Sequence, residues 1–128
     1  KNFGLDGRVE LAGIVSRTRL ADYLAGARVF VLNTSFESFS FQVVEAMSVG
    51  IPVIATKIGN LEEIIEDGKE GILVRPGDKQ AIKAAIQLLD CDLAFRSKII
   101  DAARGRAEQF SIEETTNKLL GVIESLRK

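Results

Sequence analysis

Apolar positions along the chain alternate between two rhythms. Short windows rich in aliphatic and β-branched residues, Arg8 to Ala12, Arg28 to Leu32, Pro52 to Ala55 and Gly71 to Val74, read as strands. Helical spacing fills the intervals. Thr18 to Leu24 supplies a short helix before the second strand, and Ser40 to Ser48 a helix that Gly50 and Pro52 bring to a stop. Asn60 followed by Glu63 has the form of a capping box, which gives Glu63 a structural role at the start of another short helix. After an Asp78 cap, Ile82, Ala85, Ile86 and Leu89 recur on one face and predict a core-facing helix. Leu93 to Gln109 continues as a helix, and Ser111 with Glu114 caps a last one carrying Leu119, Ile123 and Leu126. Strands that alternate with helices predict an α/β fold with a parallel sheet. No repeat, low-complexity tract or linker divides the 128 residues, so one domain is expected.

Composition narrows the chemistry. Seventeen basic and 18 acidic residues leave a net charge of −1. No basic field is present to draw in nucleic acid, so any phosphate must be held by local geometry. The chain has no histidine, which removes Ser-His-Asp and Cys-His nucleophile systems and histidine-ligated metals from it. A single cysteine, Cys91, cannot form an intrachain disulfide and fits a reducing compartment. No apolar run approaches the roughly 20 residues needed to span a bilayer.

Chemistry concentrates in Glu37 to Thr56, ESFSFQVVEAMSVGIPVIAT. The Ser-Phe-Ser turn precedes a helix whose first N–H groups and dipole favour an anion such as a diphosphate. Glu37 lies just outside that turn. Glu45 lies inside the helix, with a side chain that leans back toward the N-terminus. Carboxylates accept hydrogen bonds from hydroxyls and repel phosphate, so the pair suits a ligand with a diol at each end and charge between. A nucleotide sugar has that shape. Taken alone, two glutamates at this spacing read first as a solvated helix face. In an open parallel sheet the ligand edge lies beyond the carboxyl ends of the strands, which places Gly13, Glu37 and Gly59 on one side.

The continuation separates the two readings. Glu37, Glu45, Ala46, Met47, Gly50, Pro52, Val53, Ile54 and Ala55 are followed by Gly59-Asn60, Glu63-Ile64-Ile65, Asp67-Gly68, Gly71 to Val74 and Pro76-Gly77-Asp78. In this order the chain resembles the donor-binding region of the retaining GT-B glycosyltransferases, the family of glycogen and sucrose synthases and many mannosyl- and glucosyltransferases. The resemblance implies a Rossmann-like, three-layer parallel sheet with flanking helices, forming an incomplete GT-B C-terminal domain over residues 1–128. Lys1 to Gly13 then leads into that domain's third strand, and the first two strands and the N-terminal domain lie outside the chain.

The same resemblance implies a nucleotide-sugar donor, UDP-, GDP- or ADP-linked, as substrate, with no cofactor and no metal. Glu37 is the expected catalytic-site carboxylate, binding hydroxyls of the transferred hexose, and Glu45 binds the ribose diol. The turn Ile14 to Arg17 is expected to touch the nucleobase through its backbone, with Gly13, Ile14 and Val15 among the donor-binding residues, and Ser38 with the amides of Phe39, Ser40, Phe41 and Gln42 near the sugar and phosphates. Partners are the donor and the N-terminal domain, through which peripheral membrane association at the inner face is one option; the expected location is cytoplasmic. The chain departs from the commonest family form in having Ser38 and Ser40 where glycine is usual. It also lacks the Arg/Lys pair that clamps the diphosphate; Arg17, Arg19 and Lys57 are the nearest basic residues and read first as surface charges. Other readings are a nucleotide-sugar epimerase of related fold and a non-catalytic nucleotide-sugar-binding module. In the family's strand order the two absent strands separate Arg8 to Ala12 from Arg28 to Leu32. Either the first closes directly onto the second, giving four contiguous strands, which is the favoured expectation, or another segment covers the edge.

Overall fold

The computed structural model describes residues 4–126. The expected lead into a strand from Lys1 therefore begins outside the described residues. Three parallel strands, β1 (Phe30–Leu32), β2 (Val53–Thr56) and β3 (Ile72–Val74), stand in the order β1-β2-β3, with Phe30 opposite Val53 and Ile54 opposite Ile72. Around them run α1 (Arg17–Gly26), α2 (Phe41–Val49), α3 (Gly59–Ile64), α4 (Lys79–Cys91), α5 (Leu93–Glu108) and α6 (Ile112–Leu126).

All four residues of β2 are buried, as a central parallel strand covered on both faces requires. Val53 and Ala55 point to one face and pack with Val43, Ala46 and Met47 of α2 and Leu61 and Ile64 of α3. Ile54 points to the other, against Val74, Ala85 and Leu89. Helix α5 serves both layers, because Ala103 and Ala107 join the α2 side while Ile99 joins the α4 side. This is the expected three-layer α/β arrangement.

Local signals explain where the helices begin. The Ser40 hydroxyl accepts from the Val43 amide at 3.3 Å, Asp78 accepts from Ala81 at 2.9 Å, and Asp92 accepts from Phe95 at 2.8 Å. Each satisfies one orphan donor of a first turn. Helix α2 ends on Gly50 at φ 83°, a left-handed cap that a side chain would strain. Its N–H returns to the helix, and Ile51 leads into β2 after bonding the Ala46 carbonyl at 3.0 Å.

Two expectations fail. Arg8 to Ala12 is not a strand: Val9 and Leu11 are 60% and 94% exposed. A strand gains from its neighbour's ladder, and this segment instead leans on α1, where Glu10 accepts from the Tyr23 hydroxyl and lies 3.7 Å from Arg19. Direct closure onto β1 therefore does not occur, and among the described residues no strand pairs with the outer edge of β1, where Val31 is exposed. Second, Asn60 caps nothing. Helix α3 begins two residues earlier than such a cap would place it, with Ile58 at the cap position and no side-chain cap bond. The last helix forms as expected, with Ser111 accepting from the Glu114 amide at 3.2 Å; none of its residues is buried, and Leu119, Ile123 and Leu126 are exposed.

Candidate functional site

The loops that leave β1 and β2 are stapled together before they reach the acid pair. Thr56, fully buried at the end of β2, donates its hydroxyl to the Thr34 carbonyl at 2.6 Å and accepts from the Thr34 amide at 3.2 Å. The Thr34 hydroxyl in turn donates to the Phe36 carbonyl at 2.7 Å and accepts from its amide at 3.3 Å. One residue later, the Asn60 side chain donates to the Glu37 carbonyl at 2.6 Å. Glu37 is thereby fixed at the mouth of the turn into α2. Its Oε1 accepts from the Ser38 amide at 3.1 Å, and its side chain remains partly accessible.

Ser40 directs its hydroxyl inward as the cap of α2 and is 4% exposed. Its side chain is thus engaged by the helix, and what it presents outward is backbone. No acceptor among the described residues reaches the Phe41 and Gln42 amides, the two first-turn donors that the cap leaves over. Phe39 closes the turn from behind, its ring 5.0 Å from that of Phe41 and 5.7 Å from that of Phe110.

Glu45 occupies the second turn. The Arg17 guanidinium donates to its Oε1 at 3.1 Å, with the two side chains 92% and 37% exposed. The sequence reading of Arg17 as a surface charge holds, and the charge it meets there is this carboxylate. Arg19 engages Tyr23 and Glu10 instead, and its pKa is raised, first by the Tyr23 hydrogen bond. Lys57 lies 3.7 Å from Glu62.

Each carboxylate lines its own concavity. One of about 200 Å³ is formed by Ser35, Phe36, Glu37, Ile58, Gly59 and Asn60. The other, about 180 Å³, lies between α1 and α2 and is bounded by Arg17, Leu20, Ala21, Leu24, Glu45, Ser48 and Val49. The open amides of α2 belong to the element between them. A larger cavity of about 680 Å³ lies away from the acid pair, beside Glu62, Glu66 and Arg106. There the charges satisfy protein groups: Lys69 pairs with Glu66 at 2.8 Å, and Arg106 donates to the Ile64 and Glu63 carbonyls. We assign it a structural role.

The structure thus brings Glu37, Ser38, Phe39, Ser40, Phe41, Gln42 and Glu45 to one helix end. The expected nucleobase loop is tied to them only through Arg17. Gly13 takes φ 62°, with nothing within 4 Å of where a Cβ would stand, so conformation and not crowding calls for glycine. Ile14 is wholly exposed and Val15 partly buried. Sequence reasoning missed Thr34, Thr56 and the contact made by Asn60. A threonine closing an otherwise apolar strand was the available signal for Thr56. Among the described residues no group of three His, Cys, Asp or Glu could hold a metal ion, and no helix is long and apolar enough to cross a membrane.

Comparison with known proteins identifies the family and the fold. The family described as "Glycosyl transferases group 1" matches residues 1–92. The D-inositol 3-phosphate glycosyltransferase of Nocardiopsis dassonvillei is 32% identical over 95% of this chain and 28% of its own length. A sucrose synthase of Acidithiobacillus caldus is 36% identical over 94% of the chain and 16% of its own. The chain therefore spans between 16% and 28% of the length of these two relatives. Among solved structures, Anabaena HepE in complex with UDP superposes with a TM-score of 0.86 at 28% identity, covering 95% of this chain and 34% of that one. The same protein has been seen with UDP-glucose. The three-stranded α/β arrangement matches the C-terminal domain of such GT-B enzymes.

Proposed function

The chain belongs to the group 1 glycosyl transferases, and from that premise we propose that it is the donor-binding part of a retaining enzyme. That enzyme moves a hexose from a UDP-, GDP- or ADP-sugar to a sugar, lipid or other acceptor. One observation carries the reading: two carboxylates, each lining its own concavity, belong to either side of a helix start with open amides. Glu45 takes the ribose diol and Glu37 the hydroxyls of the hexose. The diphosphate rests over Phe41 and Gln42, with the Phe39 and Ser40 amides toward the sugar. Gly13 to Val15 border the nucleobase.

Catalysis follows from where charge develops. As the glycosidic bond breaks, negative charge grows on the departing diphosphate and positive charge on the ring. Fixed amide dipoles at the start of α2 stabilise the first without reorganising, and the Glu37 carboxylate stabilises the second. No protein nucleophile, metal or cofactor is required, since the leaving diphosphate itself guides the acceptor to the face it vacates. The acceptor surface and the remaining diphosphate contacts come from the enzyme's N-terminal domain and from strands beyond this chain. The compartment is cytoplasmic, with any membrane contact made through the other domain.

The test is a full-length enzyme carrying this chain, incubated with each nucleotide sugar and a chelator, with the product anomer read by NMR. Turnover of one donor with retained configuration is expected. An inverted product, or activity that the chelator abolishes, overturns the mechanism.

A further inference from the structure

We propose that Asn60 is a positioning residue for the Glu37 carboxylate, acting through the peptide between Glu37 and Ser38. The inference rests on the role given to Glu37 above. That single peptide is held at both ends. Its carbonyl accepts from the Asn60 amide at 2.6 Å, and its N–H donates to the Glu37 Oε1 at 3.1 Å. Rotation of the peptide plane would break both bonds together. The Asn60 side chain therefore sets the plane, the plane aims the Ser38 N–H, and that N–H fixes the carboxylate.

Asn60 has no competing duty. It sits in the first turn of α3, makes no cap bond, and is exposed apart from this contact. It also joins Glu37 in lining the concavity of about 200 Å³, so the link runs along the wall where the hexose is placed. The two residues lie 23 positions apart, one on the loop after β1 and one on the helix after β2. Thr56 and Thr34 already join these two loops lower down. Asn60 repeats the join at the level of the carboxylate, where a stability role alone would not require it. An amide is suited to the task because it donates without adding a charge that would compete with the Ser38 N–H for the carboxylate.

The experiment compares Asn60→Ala and the isosteric Asn60→Asp, which keeps the shape and loses the donor, in a full-length enzyme carrying this chain. Expected are a kcat lowered about tenfold and a nucleoside diphosphate Kd within about twofold of the parent, since that ligand meets Glu45 and not Glu37. In a crystal structure of Asn60→Asp the Ser38 amide should no longer lie within hydrogen-bond distance of Glu37 Oε1. In a Glu37→Ala background Asn60→Ala should lower kcat no further. Retention of the Ser38 contact, or an equal kcat loss in the Glu37→Ala background, overturns the proposal. A weakened nucleoside diphosphate Kd also overturns it, because that would mark a general disturbance of the fold. Should Glu37→Ala alone leave kcat intact, the role assigned to Glu37 fails, and the crystal structure still decides whether Asn60 orients the side chain.

Discussion

Replacing Glu45 and Glu37 in turn separates grip on the nucleotide from the chemical step. A hydrogen bond from a hydroxyl to a carboxylate is worth about 1.5 to 3 kcal/mol, and Glu45 is placed to take the ribose diol. Arg17 already holds one oxygen of that carboxylate at 3.1 Å, but the pair is largely in water. Exposed ion pairs contribute at most about 1 kcal/mol, so little of the ribose term is offset. Glu45→Ala should therefore weaken nucleoside diphosphate binding by about 10- to 150-fold, at about 1.4 kcal/mol per tenfold. Arg17→Ala should change the same affinity by less than about fivefold. Glu37→Ala should leave nucleoside diphosphate affinity nearly unchanged and lower kcat by about tenfold or more, because its interaction strengthens as the ring becomes positive. Calorimetric titration with the nucleoside diphosphate, paired with steady-state kinetics on the full-length enzyme, measures both. Unchanged affinity in Glu45→Ala refutes the ribose assignment. A Glu37→Ala variant that loses binding and keeps kcat refutes the division of labour.

Thr56→Val should lower stability in urea unfolding by roughly 2 to 4 kcal/mol, since it strips the Thr34 amide and carbonyl of partners at a buried position; Thr56→Ser should recover most of it, and a valine variant within about 0.5 kcal/mol of the parent would sink the staple. Ser40→Ala should cost about 1 kcal/mol through the lost cap and leave donor affinity within about threefold, whereas a collapse of affinity would mean that the hydroxyl itself touches the ligand. The 128-residue chain alone should transfer no sugar and bind nucleotide sugars only weakly, because the start of α2 holds the phosphates with partial charge alone; a calorimetric Kd near micromolar for any donor would contradict this.

How much of this was legible depended on whether the cause was local. Ser40, Asp78 and Ser111 sit where their hydroxyl or carboxylate meets an amide three residues on, so the starts of α2, α4 and α6 could be read from short windows. Asn60 has the same signature and a different use. A capping box needs a backbone that enters the helix after the asparagine, and here Ile58 already makes that turn, leaving the side chain for Glu37. Nothing within four residues of Asn60 encodes a contact 23 positions away. Arg8 to Ala12 misled for a related reason. Its composition suits a strand, but a strand is completed by its neighbours, and here the segment meets α1 instead. The α6 stripe was legible as apolar, but its partner surface was not. The acid pair was found because spacing and order along the chain carry it. Arg17 was legible as a surface charge, but its partner was not, because an ion pair between α1 and α2 depends on how those helices pack.

The most direct measurement is a crystal structure of a full-length enzyme carrying this chain with a nucleotide sugar bound. The account predicts ribose hydroxyls within hydrogen-bond distance of Glu45, a hexose hydroxyl on Glu37, and the diphosphate against the amides of Phe41 and Gln42. A nucleotide seated away from the start of α2, or one reversed so that the hexose lies on Glu45, would contradict it.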